Sequence, residues 1–240
     1  MFRRALFILY HSSMPSPKFR ADLLTIFPEP CESYCRIGML GRAQKEGIAK
    51  MTAHDLRTWT HDAHKTVDDK PFGGGPGMVM KIEPFHEALV SLKVRTKNGT
   101  KTAQGKKACV ISTSAKGKMF THADAIRLVK KKQLVFLCGR YEGIDERINE
   151  YLVDEEFCIG PYVLTGGELP ALVMLDAIVR HLPGVLGEPE SLTTESWADG
   201  STREYPQYTR PESYGGWEVP KILLSGDHQK IKTWRHEKKV

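Results

Sequence analysis

The chain has 240 residues, 40% hydrophobic and 27% charged, with 35 Lys and Arg against 29 Asp and Glu for a net charge of +6. That length supports one sizeable core with a smaller appended domain and excludes a large multidomain assembly, while the composition excludes a fibrous or fully disordered chain. No apolar run approaches the roughly 20 residues that span a bilayer, which excludes a membrane-spanning helix, and the positive balance favours a phosphate-bearing partner.

In chain order, Met1 to Phe19 carries Arg3, Arg4 and Lys18, no acid, and an apolar run from Ala5 to Tyr10 that is too short for a secretory signal. Residues 1–19 are expected to be a disordered extension; an organelle transit peptide and a start nearer Met14 are the other readings. Asp22 to Phe27 reads as a strand stopped by Pro28 and Pro30, and Ser33 to Glu46 as a helix closed by Gly47. Ile82, Phe85, Leu89 and Leu92 recur at helical spacing and predict a helix over 82–94 with Pro84 near its first turn. Arg95 to Lys107 lacks apolar periodicity and reads as an exposed basic loop. Ala108 to Thr113 and Leu134 to Cys138 are short strands flanking a helical segment, His122 to Lys132. This alternation predicts an α/β fold with a parallel sheet. The cysteines, Cys31, Cys35, Cys109, Cys138 and Cys158, are odd in number and read as buried free thiols of a cytoplasmic protein. Cys31 and Cys35 have no second pair with which to complete a zinc tetrahedron.

The chemistry lies at the strand ends. Ile111-Ser112-Thr113 runs into Ser114-Ala115-Lys116-Gly117, Leu137-Cys138 into Gly139-Arg140-Tyr141-Glu142-Gly143, and Phe157-Cys158 into the run Ile159 to Gly167, followed by a helix over Glu168 to His181. In open α/β sheets ligands sit outside the carboxyl ends of strands, where glycines let the backbone approach closely. Three such loops predict a small-molecule pocket walled by main chain. Gly73-Gly74-Gly75-Pro76-Gly77 fits neither a dinucleotide fingerprint nor a phosphate loop, since Met78 and Met80 stand where Gly or Ala is required and no strand precedes it.

Val67 to Met78, Cys138 to Arg147 and Tyr162 to Pro170 resemble signatures of the bacterial tRNA (guanine-37-N1)-methyltransferases, the TrmD family. Pro183 to Gly187, Tyr205 to Pro211 and Leu224 to Gly226 match as well, in family order, so that the resemblance covers nearly the whole chain from about Leu23 to Arg235. It implies a SPOUT α/β fold with a deep trefoil knot over residues 20–187, a linker over 188–195 and a mainly helical tRNA-binding domain over 196–240. It also implies a homodimer whose active sites draw on both subunits. The activity implied is transfer of the methyl group of S-adenosylmethionine to N1 of guanosine 37 in the tRNA anticodon loop, with magnesium required.

By motif match the donor pocket comprises Ser114, Gly139, Tyr141, Glu142, Ile159, Gly160, Pro161, Tyr162, Val163, Leu164, Gly166 and Gly167. Glu195 is the implied general base and Arg180 the assisting cation; His64, Asp68 and Gly77 are implied to meet the flipped-out guanosine. No carboxylate cluster identifies a magnesium site. The sequence departs from the family where Glu195 replaces an aspartate, a change that shifts the carboxylate by roughly an ångström. It departs again at Pro161 for Asp, at Ala115 for Pro, and in a tail that is expected to be a shortened domain. The rival functions are a knotted ribose 2′-O-methyltransferase and a non-catalytic RNA-binding relative.

Overall fold

The computed structural model describes residues 17–187 and 195–240. Of the extension expected over 1–19, residues 1–16 lie outside the described residues, as do 188–194 of the linker; Phe19, by contrast, is buried as the first residue of a strand. The chain divides into two compact units, one ending at Leu186 and the other running from Gly187 to Val240.

The first unit is a parallel sheet covered on both faces. Its strands are β1 (Phe19–Thr25), β2 (Ala49–Asp55), β5 (Ala108–Met119), β6 (Gln133–Leu137) and β7 (Glu155–Cys158), in spatial order β2-β1-β6-β5-β7. Short strands β3 (Asp68–Asp69) and β4 (Val79–Met80) form a separate antiparallel pair. The helices are α1 (Pro28–Cys35), α2 (Gly38–Lys45), α3 (Ile82–Ser91), α4 (His122–Leu128), α5 (Glu146–Tyr151) and α6 (Glu168–Val179). Side chains alternate across each strand. Leu23, Ile111 and Phe136 join α1, α2, α4 and α6 on one face, while Leu24, Val110 and Leu137 join α3 and α5 on the other.

This layering sets where a ligand can enter. The chain leaves β5 for α4 on one face and leaves β6 for α5 on the opposite face. Adjacent strands whose connections depart on opposite sides leave a crevice at their carboxyl ends. β7 flanks β5, and its pairing shifts register there, because Thr113 and Lys118 both face Phe157. The segment Ser114–Gly117 therefore bulges from β5 beside the crevice, where the sequence predicts a strand-end loop.

Several expectations change. The helix expected over Ser33 to Glu46 is two helices, because Ile37 is extended (φ −108°, ψ 164°) and Gly38 takes φ +56°. Pro28 opens α1 rather than simply ending the strand, since a first-turn proline lacks only an N–H that would be unpaired anyway. Strand β2 and helix α5 are additional to the sequence reading. The segment from Arg95 is not wholly exposed. Arg95 is buried, donates to the Leu152 carbonyl at 2.6 Å and pairs with Asp154 at 2.8 Å, and Lys101 meets the same carboxylate at 2.7 Å.

In the second unit, Ser213–Tyr214 and Trp217–Glu218 pair across Gly215 and Gly216, both at positive φ as a tight hairpin turn requires. Helices Lys221–Leu224 and His228–Glu237 follow, the latter capped by the Asp227 carboxylate accepting from Lys230 N at 3.1 Å. Arg235 lies over the Tyr205 ring at 5.0 Å and Arg203 over Trp197 at 5.4 Å. No described residue of this unit is buried. Among the described residues no helix is long and apolar enough to cross a membrane.

Two stability measurements check this packing. Asp154→Ala leaves the buried Arg95 guanidinium without its carboxylate and is expected to cost about 3–5 kcal/mol in denaturant unfolding. Asp124 caps α4 in a reciprocal box with Thr121. Burial pushes its carboxyl up, but hydrogen bonds from Lys118, Thr121 and Arg127 outweigh that and hold it at about 2. A depressed folded value stabilises above the unfolded one, about 3.9. The stability gap between wild type and Asp124→Asn should therefore be full above roughly pH 4 and close as pH falls towards 2.

Candidate active site

The crevice holds a cavity of about 390 Å³, inside the range of roughly 300–1,000 Å³ usual for small-molecule sites. Three segments wall it: the bulge of β5, the loop Gly139–Ile144 after β6 and the run Ile159–Gly167 after β7. The last two are joined main chain to main chain. Gly167 N donates to Gly139 O at 2.8 Å, and Arg140 forms an antiparallel bridge with Gly166. A Cβ on Gly167 would overlap the Thr113 hydroxyl and stand 2.9 Å from Gly139 N, so that only glycine permits this approach.

The glycine-rich segment is strapped to the same wall. Glu142 N donates to Met78 O at 3.0 Å, Met80 N to Gly143 O at 2.9 Å and Asp145 N to Met80 O at 2.9 Å. Gly77 takes φ +83°, and the space its Cβ would fill holds the Glu142 side chain. Tyr141, at the tip of the loop after β6, sits at φ +58°, a left-handed conformation costly for an aromatic residue and typical of functional loops.

The lining is chemically mixed. Ser112 Oγ and Asn149 Oδ1 are buried at the cavity without a hydrogen-bond partner in the protein. Buried polar atoms left unpaired cost roughly 1–3 kcal/mol each, which a ligand with donors and hydroxyls would relieve. Lys116 Nζ and Glu146 Oε2 pair at 2.7 Å across the lining; their hydrogen bond lowers the Glu146 carboxyl and raises the Lys116 ammonium. Behind the wall, burial first and the Glu168 carboxylate second push the Cys31 thiol up to about 12, and the same two causes raise Cys138. Thiols so raised stay protonated and are packing groups rather than nucleophiles.

Ser114, Gly139, Tyr141, Glu142, Ile159, Gly160, Tyr162, Val163, Leu164, Gly166 and Gly167 all line the one cavity. Pro161 does not: it is exposed at the loop tip, which the bond from Tyr162 N to Gly160 O turns outward. Gly77 reaches the cavity wall through Glu142, whereas His64 is exposed in a loop and Asp68 lies on β3, neither of them lining it. Arg180 caps the far end of α6. At about 1.5 Å per residue, that is ~18 Å along the helix from the loop that opens it. Glu195 belongs to the second unit. Lys116 and Arg140 lie in the strand-end loops that the sequence predicts to wall the pocket, and Ser112 at the strand end that leads into one of them. Sequence reasoning missed Glu146 and Asn149 as lining residues. Gly167→Ala is expected to destabilise the fold by about 1–3 kcal/mol and to distort the cavity; thermal unfolding together with ligand titration would measure both effects.

Comparison with known proteins meets this geometry. The family model described as tRNA (Guanine-1)-methyltransferase TrmD matches residues 19–240. The chain is 46% identical over 217 residues to a tRNA (guanine-N(1)-)-methyltransferase of Geobacter metallireducens, covering 90% of this chain and 84% of that protein. Proteins of the same name from Heliobacterium modesticaldum and Dictyoglomus turgidum are each 46% identical over 218 residues, covering 91% of this chain and 79% and 84% of theirs. With a glycine-walled cavity at the sheet's switch point and family similarity along almost its full length, the chain belongs to the TrmD family of tRNA (guanine-1)-methyltransferases.

Proposed function

We propose that the chain methylates N1 of guanosine 37 in the tRNA anticodon loop, with S-adenosylmethionine bound in the cavity between β5, β6 and β7. The observation that carries this reading is the cavity itself, a main-chain cradle with unpaired polar atoms at Ser112 and Asn149 in a chain of this family. The donor supplies a methyl group on a sulfonium, so no covalent enzyme intermediate is needed. Backbone groups of Gly139, Ile159, Gly160, Leu164 and Gly166, with Ser114, Tyr141, Glu142, Tyr162, Val163 and Gly167, would hold it.

Guanine N1 is a poor nucleophile while protonated. The Glu195 carboxylate accepts that proton as the nitrogen takes the methyl group, and Arg180 stabilises the negative charge that develops on the neighbouring ring oxygen. His64, Asp68 and Gly77 position the extruded base. Base extrusion suits a target in a single-stranded loop.

Two features favour a homodimer. The helix α6 is apolar over most of its circumference, a pattern that belongs to buried helices, yet Leu169 and Val173, beside Asp176, are 56% and 43% exposed in one copy. Arg180, at the far end of α6 from the pocket loops, would then serve the cavity of a second copy. The trefoil knot belongs to the same proposal; the Gly139–Gly167 bond and the return of α6 to pack with α1, α2 and α4 are the contacts a threaded chain would make. In residues 196–240, the expected tRNA-binding domain within the second unit, the exposed Tyr214 and Trp217 and the cations Arg203 and Arg235 suit RNA contact. We take the cytoplasm, where tRNA is present and thiols stay reduced, as the setting.

The test is incorporation of labelled methyl from S-adenosylmethionine, with magnesium present, into tRNA transcripts differing only at position 37. Label is expected at guanine N1 and only with guanosine there. Label on a ribose irrespective of the base, or none at all, overturns the reading. Glu195→Gln should lower turnover by roughly 10²–10⁴-fold without weakening donor binding.

A further inference from the structure

Glu168, the first residue of α6, is 6% exposed. Carboxylates are rarely that buried unless paired. Both of its oxygens are engaged: Oε1 accepts from the Thr25 hydroxyl at the end of β1 at 2.6 Å, and Oε2 from Arg140 Nε at 2.9 Å.

Arg140 in turn is fixed on every side. Its Nη1 donates to Thr165 O at 3.3 Å, its guanidinium lies 4.7 Å from the Phe27 ring centroid, and its backbone N–H points at Met80 Sδ at 3.1 Å. A Cβ on Gly166 would stand 2.5 Å from Arg140 Cζ, so the guanidinium lies flat against bare main chain. Arg140 lines the cavity, and its Nε and Nη1 are turned to protein acceptors, Glu168 and the Thr165 carbonyl. The end of β1, β4 and the loops after β6 and β7 thus meet at one ion pair.

Fold stability alone does not call for such a pair, because apolar replacements of buried ion pairs are often as stable. What an apolar pair could not supply is a directional bond from one loop to the carbonyl of the other. We propose that Glu168 and Arg140 are positioning residues for the methyl donor, a buried clamp keyed to the sheet through Thr25 that sets the separation of the loops after β6 and β7. This rests on the reading of the cavity as the donor site.

The experiment is calorimetric titration of the full chain with S-adenosylmethionine, alongside tRNA binding and thermal unfolding. Glu168→Gln turns an amide N–H on either Arg140 or Thr25, and donor affinity should fall roughly 10- to 100-fold, the scale of an ångström-sized displacement. tRNA affinity should not change. Arg140→Lys keeps the charge but cannot bridge Glu168 and Thr165, and should show the same loss. Asp154→Ala, destabilised elsewhere in the same unit, should bind donor like wild type wherever circular dichroism shows it folded. Wild-type donor affinity in both Glu168→Gln and Arg140→Lys overturns the proposal, as does an equal loss in Asp154→Ala. Wild-type protein that takes up no S-adenosylmethionine overturns the donor-site reading, and the proposal with it.

Discussion

Two stretches of main chain, Gly139–Arg140 and Gly166–Gly167, are joined directly, by the bond from Gly167 N to Gly139 O and by the bridge between Arg140 and Gly166. That approach is the constraint on which the site depends. It exposes peptide groups to a ligand, it requires glycine on the Gly167 side, and it ties a loop leaving β6 to one that begins after β7. The cavity beside it combines main-chain walls with the unpaired side-chain atoms Ser112 Oγ and Asn149 Oδ1.

The sheet makes the approach possible. β5 and β6 run side by side until Ser112 stands opposite Leu137, where their pairing ends. The register shift of β7 against β5 lifts Ser114–Gly117 out of the ladder and turns a strand into a third wall. Helices on both faces bury the strands, and apolar packing supplies most of the rigidity. The buried carboxylate of Asp22 inside that packing is paired. Burial pushes the Asp22 carboxyl up, but hydrogen bonds from His54, Arg20 and Gln133 reverse this and hold it low.

The parts of the fold that could be read in advance are those where local pattern and tertiary packing agree. The apolar runs of β5 and β6, the helical spacing of Ile82, Phe85 and Leu89, and the proline near the start of α6 all spoke for the elements found. Ala49–Asp55 did not, because an edge strand with Lys50, Thr52 and His54 has neither an apolar run nor clean alternation. Nor did Glu146–Tyr151, a short, mostly polar helix held by Ile148. Arg95 looked like one more cation of a basic loop, since its partner Asp154 is distant in sequence. Within the cavity, glycine spacing and motif resemblance pointed to the three loops, whereas Asn149 and Glu146 enter from a helix with no signal of its own. Pairs such as Glu168 with Arg140 depend on the exact packing of loops, which spacing along one strand or helix does not encode.

If the glycine-walled crevice is where this methyltransferase holds its donor, amide hydrogen exchange should register it directly. Adding S-adenosylmethionine should slow exchange in the peptides that carry Gly139–Gly143 and Ile159–Gly167 while leaving β2 and α3 unchanged. Protection confined to other segments, with those two loops exchanging as fast as before, would contradict the account.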